Sequence, residues 1–241
     1  MNNVEALDKE FGLVADLVKL TARDLPDHTT FILDGRRQSY AETVKLMARV
    51  AASLQRDGVK QREAISVCAS TSIEYATLFL GALSIGVVTA PLAPSSTPEQ
   101  LEGMVKDSGA KLLFLDATTA DSLKNAGDAG TIRISLDGSD CGKPFAEWLA
   151  PEGAAVTPVK VDPADPFNII YSSGTTGIPK GIVQSHRMRW AHVQRANAFQ
   201  YDRTATTLLS TPLYSNTTLV SFFPTLAGGG TVALMKKFDA H

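Results

Sequence analysis

The sequence predicts an α/β fold in which largely parallel sheets are flanked by helices. Three observations predict it. Short apolar runs alternate with amphipathic helical patterns from residue 31 to residue 136, the order of a βαβ succession. Two of the helical patterns open on capping boxes, Ser39-Tyr40-Ala41-Glu42 and Thr97-Pro98-Glu99-Gln100. Two uncharged stretches, 75–98 and 204–235, are each interrupted by Pro, Gly and Thr. Either is long enough to span a bilayer, but that composition fits helix–loop–strand units covered on both faces.

The elements follow in order. Phe11 to Arg23 reads as a helix with Phe11, Val14, Leu17 and Val18 on one face. Phe31-Ile32-Leu33 is a strand, turned by Asp34-Gly35 into Arg37-Gln38. The helix capped by Ser39 buries Val44, Met47, Ala48, Ala51 and Leu54, and the chain leaves it at Gly58. Ala64 to Cys68 is a buried strand, Ser72 to Ile85 a helix ended by Gly86, and Val87 to Pro91 a strand. The helix opened by Thr97 has Pro98 at its first position and runs to about Ser108, where Gly109 stops it. Lys111 to Leu115 and Thr131 to Leu136 are strands.

Pro151, Pro158, Pro163 and Pro166 mark residues 151–166 as a linker between a first α/β portion, 1–150, and a second, 167–241. Beyond it, strands are expected at Phe167–Tyr171, Gly181–Val183, Thr206–Ser210 and Thr231–Leu234. A helix capped by Ser185 runs through Phe199, and Leu219–Leu226 is a helix that Pro224 limits.

Composition narrows the function. The 241 residues carry 23 basic and 25 acidic side chains, a net charge of −2, so nothing resembles the basic footprint of a nucleic-acid binder. Cys68 and Cys141 lie in no CxxC pair, which argues against a disulfide framework or a zinc site and for a reducing, cytoplasmic setting. The N-terminus lacks a basic region followed by an apolar run, so no signal peptide is indicated.

One segment carries chemistry. Ser172-Ser173-Gly174-Thr175-Thr176-Gly177-Ile178-Pro179-Lys180-Gly181 follows a buried strand and packs four hydroxyls, three glycines and one lysine into ten residues. Glycines let backbone N–H groups approach a ligand, and clustered amides form an anion nest. A polyphosphate suits such a loop. A Walker A loop is excluded, because the fifth residue after Gly174 is Pro179 and Lys180 is followed by Gly181. A kinase-type P-loop would also start a helix directly after its lysine, whereas a strand is expected here.

The string resembles the phosphate-binding signature of the adenylate-forming superfamily: acyl- and aryl-CoA synthetases, peptide-synthetase adenylation domains and firefly-type luciferases. Every fixed position of Ser/Thr-Ser-Gly-Thr-Thr-Gly-x-Pro-Lys-Gly is met by Ser172 to Gly181. Weaker blocks agree in order, at Ser39 to Gly58, at Gly81 to Pro94 with its exit Ala90-Pro91-Leu92-Ala93-Pro94, and at Asp107 to Lys111. The resemblance implies an incomplete N-terminal domain of an adenylate-forming enzyme. It implies activation of a carboxylic acid with ATP and Mg²⁺ to an acyl-adenylate, then transfer to the thiol of CoA. Ser172, Ser173, Gly174, Thr175, Thr176, Gly177 and Lys180 would hold the β- and γ-phosphates, with Thr175 or Thr176 beside the metal.

A second family block, Pro-Leu-aromatic-His, reads Pro212-Leu213-Tyr214-Ser215 here, with Ser215 in place of His. Tyr214, Ser215 and Asn216 are the pocket candidates, Tyr214 serving equally well as a packing residue. Leu219, Phe222 and Phe223 suit either an apolar pocket or the core. His186 reads as a neighbour of the Ser185 cap, and Trp148 and Trp190 as packing residues. No catalytic residue is assigned. The family's later blocks, including the adenylation lysine, lie outside the sequence. The expectation is therefore an N-terminal piece, inactive alone, whose missing sheet partners leave apolar surface open to homodimerisation. The alternative is an inactive nucleotide-binding or interaction module. The acid itself is not specified.

Overall fold

The computed structural model describes residues 2–124, 131–172, 179–195 and 199–236. Helices α1 (Asn3–Leu7) and α2 (Val14–Asp24) lead into a hairpin of β1 (Thr29–Leu33) and β2 (Arg36–Ser39). Asp34 and Gly35 turn it at positive φ, 49° and 80°, as a tight two-residue hairpin requires. Then follow α3 (Tyr40–Arg56), β3 (Ala64–Cys68), α4 (Ile73–Leu83), β4 (Val88–Pro91), α5 (Pro98–Ser108) and β5 (Leu112–Leu115). After a 3₁₀ turn at Asp121–Leu123 come β6 (Ile132–Ser135), β7 (Lys143–Pro144) and α6 (Phe145–Trp148). Next are β8 (Pro166–Ser172), β9 (Lys180–Ser185) and α7 (His186–Arg195). Last come β10 (Thr206–Leu209), α8 (Asn216–Ala227) and β11 (Thr231–Leu234).

Both expected capping boxes form. Ser39 Oγ accepts from the Glu42 N–H at 3.2 Å, and the Glu42 carboxylate accepts from the Ser39 N–H at 2.7 Å. Thr97 and Gln100 make the same reciprocal pair, and Gly109 ends α5 in the left-handed region. A third box, Asn2 with Glu5, opens α1, a helix the sequence reading did not contain although the four-residue signal was there.

Two sheets form. The larger has the order β7-β6-β5-β3-β4-β8-β9, all parallel except the antiparallel pair β8–β9. The smaller has the order β10-β11-β1-β2, parallel but for the β1–β2 hairpin. Helix α4 touches strands of both sheets and, apart from Glu74, is buried throughout. That position explains the uncharged stretch at 75–98. On β5, Leu112 and Phe114 enter the main core while Leu113 and Leu115 enter a second core under α5, as strand alternation dictates for a sheet covered on both faces. Residues 151–165 hold no helix or strand. Gln55 exchanges hydrogen bonds with the Thr157 backbone, and Arg62 donates to Asp165 at 2.7 Å. Both sheets draw strands from either side of this stretch.

Three expectations need correction. Helix α2 begins at Val14, with Phe11 outside it and no side chain capping its start. Ala48 is exposed, because the buried stripe of α3 runs through Thr43, Met47, Val50, Ala51 and Leu54. Helix α8 begins at Asn216 and continues through Pro224 to Ala227. Proline removes one helical hydrogen bond, but Leu219, Phe222, Phe223 and Leu226 are all buried around it, and burial of that face outweighs the local propensity.

Candidate functional site

The site is built on the β8–β9 hairpin. Asp165 fixes its root, accepting from Arg62 and from Gln61 Nε2 at 2.8 Å. Strand β8 lies parallel beside β4, and β9 returns antiparallel so that Ser172 faces Lys180 across the ladder. This register brings Ser172 and Lys180, which flank the rest of the hydroxyl- and glycine-rich segment, side by side at the carboxyl end of β8. Both are exposed. Ser173, Gly174, Thr175, Thr176 and Gly177 lie outside the described residues. A strand, not a helix, follows Lys180, in agreement with the exclusion of a Walker A loop.

Below the loop, the Tyr171 hydroxyl donates to Asp107 Oδ2 at 2.8 Å and lies 3.0 Å from the Met104 carbonyl. Burial and that carboxylate raise the phenol well above its usual range, so it remains a neutral donor. The hairpin is thereby moored to α5. Gly181 passes close to the mooring: a Cβ there would sit 3.1 Å from Asp107 Oδ2 and 3.2 Å from the Tyr171 ring. The third glycine of the string thus serves close packing.

The second half of the site is the turn from β10 into α8. Leu213 is buried, whereas Tyr214, Ser215 and Asn216 are half-buried. Thr211 and Thr218 hydroxyls meet at 2.6 Å across the turn. Asn216 reaches the hairpin, its Oδ1 accepting from Gln184 Nε2 at 3.2 Å. The expected pocket segment and the expected phosphate loop are therefore tied to one another through β9. Leu219, Phe222 and Phe223 are core: Phe222 stacks on Phe31, and Phe223 packs on Phe79 and Phe167. His186 is buried edge-on to Phe167, and burial pulls its imidazole down to about 4, so it is neutral at physiological pH.

One residue at this junction escaped the sequence reading. Arg189 is fully buried on α7, and its Nη2 reaches the side-chain oxygens of Gln184, Asn216 (3.2 Å) and Asn168 (3.5 Å). Its helical spacing with His186, Trp190 and Val193, all buried, was the available signal: a charge on an otherwise packed stripe.

A separate cleft of about 440 Å³ opens at the carboxyl ends of β3, β5 and β6. Its lining mixes Asp34, Glu74, Asp116 and Asp137 with Arg36 and Lys236, and Arg36 pairs with Glu74 and Lys236 with Asp34.

The AMP-binding enzyme family matches residues 18–241. The chain belongs to that family. Among its relatives, 4-coumarate–CoA ligase 2 of Oryza sativa subsp. japonica is 33% identical over 184 residues, covering 69% of this chain and 32% of that protein. 4-Coumarate–CoA ligase 3 of Arabidopsis thaliana is 31% identical over 220 residues, covering 85% of this chain and 38% of that protein. The chain spans about a third of the length of the curated relatives it matches. The N-terminal domain of FACL13 from Mycobacterium tuberculosis superposes with a TM-score of 0.81 at 25% identity, covering 95% of this chain and 58% of that one. The luciferase-like enzyme of the nonluminescent mealworm Zophobas morio shares the fold, with a TM-score of 0.81 at 20% identity over 94% of this chain and 55% of that one. The fold is thus that of the N-terminal domain of adenylate-forming enzymes, and the chain corresponds to part of that domain. Among the described residues, no helix is long and apolar enough to cross a membrane.

Proposed function

We propose that this chain is the N-terminal part of an acid–thiol ligase, which converts a carboxylic acid and ATP to an acyl-adenylate and pyrophosphate and passes the acyl group to CoA. The observation that carries the reading is the hairpin, whose register sets Ser172 opposite Lys180 at the carboxyl end of a parallel strand. Open α/β sheets bind ligands at that end. The Ser172, Ser173, Thr175 and Thr176 hydroxyls and the backbone of Gly174 and Gly177 hold the β- and γ-phosphates, and Lys180 supplies positive charge. In-line attack of the carboxylate oxygen on the α-phosphorus needs alignment and charge neutralisation more than proton transfer. Tyr214, Ser215 and Asn216 face the acid.

Mg²⁺ belongs beside Thr175 or Thr176. No group of three metal-ligating side chains exists among the described residues. Hydroxyl donors suit an ion brought in largely by substrate phosphates. When bound, it neutralises phosphate charge. Cys68 and Cys141 are free thiols, in keeping with work in the reducing cytoplasm.

The test is carboxylate-dependent ATP–pyrophosphate exchange by the gene product read to its natural stop codon, with the 241-residue chain beside it. Exchange in the long form and none in the short form is expected. Robust exchange by the short form would sink the proposal that it is inactive alone. A folded long form that binds ATP but exchanges with no acid would instead indicate a nucleotide-binding module.

A further inference from the structure

The guanidinium of Arg189 has no exposed surface. Phe167 and Phe223 lie over it, with ring centroids 5.6 Å and 5.4 Å from Cζ. Its polar neighbours are the side-chain oxygens of Gln184, Asn216 and Asn168, and His192 Nδ1 at 3.4 Å. None of these carries negative charge. Among the described residues no carboxylate forms an ion pair with it, and two buried donor atoms in the cluster, Arg189 Nε and Asn168 Nδ2, have no hydrogen-bond partner.

A buried charge is retained only where it is paired or hydrogen-bonded. The aromatic faces help by cation–π attraction, but they supply no counter-charge. Burial pulls the Arg189 pKa down to about 10, which leaves it protonated at neutral pH. The first residue of the twelve-residue helix α8 is Asn216, so the positive end of a helix dipole points to the same place. Two sources of positive potential converge there and none of the described groups answers them.

The amides decide how that potential is presented. Asn216 Oδ1 accepts from both Arg189 Nη2 and Gln184 Nε2. With its oxygen so engaged, Asn216 keeps its Nδ2 as the donor of the amide left for a ligand. Asn216 and Gln184 are half-buried, whereas the guanidinium they contact is fully buried. Asn216 also adjoins Ser215 and Tyr214, the candidate acid pocket.

On the reading that these residues receive the acid, we propose that the substrate is a dicarboxylic acid, whose second carboxylate is held by Asn216 Nδ2 and neutralised by Arg189 behind it. Arg189 and Asn216 are then the specificity-determining pair. One carboxylate reacts at the phosphate loop, and the other reports chain length by reaching, or failing to reach, the amide. Fixed donors that require a polar partner discriminate strongly against analogues lacking it.

The test uses the protein read to its natural stop codon. ATP–pyrophosphate exchange is measured with matched pairs: glutarate against pentanoate, adipate against hexanoate, 4-carboxybenzoate against benzoate. One diacid should exceed its monoacid partner in kcat/KM by about 10²-fold. The ratio should collapse toward unity in Arg189→Met and be partly kept in Arg189→Lys. The ratio is internal to each variant, so a loss of folded protein does not move it. The wild-type preference needs no variant at all. Monoacids used as well as diacids, or a diacid preference that Arg189→Met leaves intact, would overturn the proposal while the ligase reading stands. No exchange with any acid would overturn both.

Discussion

Lys180 and His186 sit six residues apart and answer to opposite environments. Lys180 is exposed at the foot of the hairpin loop, and among the described residues no carboxylate pairs with it. Its positive charge is free for a phosphate. Lys180→Ala in the full-length protein should lower exchange by about 10²–10³-fold and leave stability within about 0.5 kcal/mol. Parallel exchange kinetics and thermal melts measure both. His186, by contrast, is buried against Phe167 and neutral in the fold. Its folded pKa, about 4, lies below the usual histidine value of 6.5. Between those pH values the unfolded chain binds more protons, so stability falls as pH drops from 6.5 and levels off below 4. The loss amounts to roughly 3 kcal/mol. Urea denaturation of wild type and His186→Gln from pH 7 to pH 4 should show that slope in the first and a shallower one in the second. Lys180 was a candidate from sequence because the motif that holds it is local along the chain. For Arg189 the buried stripe of its helix was the one local signal, and the convergence of Phe167 and Asn216 on its head group comes from elsewhere along the chain.

Between elements, backbone approach sets the tolerance for substitution. Helix α3 crosses α4 at Gly81, where a Cβ would lie 2.6 Å from Val50 Cγ1 and 3.0 Å from the Met47 carbonyl. Alanine there gains about 1 kcal/mol of helix propensity. It loses more, about 1–3 kcal/mol, by overpacking a buried crossing. Gly103 sits exposed on α5 with no atom within 4 Å of an added Cβ, so the propensity gain stands alone. Gly81→Ala should therefore destabilise and Gly103→Ala stabilise the chain, the latter by about 1 kcal/mol. Chemical denaturation decides both. The same contrast explains what the sequence revealed about elements. Caps at Ser39 and Thr97, the Asp34-Gly35 turn and the left-handed Gly109 are solved by neighbours three or four residues away. The passage of α8 through Pro224 is solved by aromatic rings from β1, α4 and β8, which no local pattern reports.

For the whole molecule, the outer strands matter most. Strands β9 and β10 end their sheets, and Ile182, Val183 and Leu208 are more than half exposed on them. Open apolar edges are templates for pairing with another chain. We expect the 241-residue chain to associate into homodimers as concentration rises. Val183→Lys with Leu208→Lys should suppress that association. Sedimentation velocity across a concentration series tests this, and a monomer at every concentration would refute it.

The sequence by itself determined the alternation of strands and helices, the capped helix starts and the family, because each is written in residues close along the chain. The tertiary structure alone decided that β1 pairs with β11, some two hundred residues away, that Ala48 faces solvent, and that a charged side chain lies buried between two phenylalanines. Such outcomes depend on which distant surfaces exclude water together. The backbone hydrogen bonds of helices, caps and turns are satisfied locally and can be read locally, whereas strand pairing and burial are properties of the assembled core.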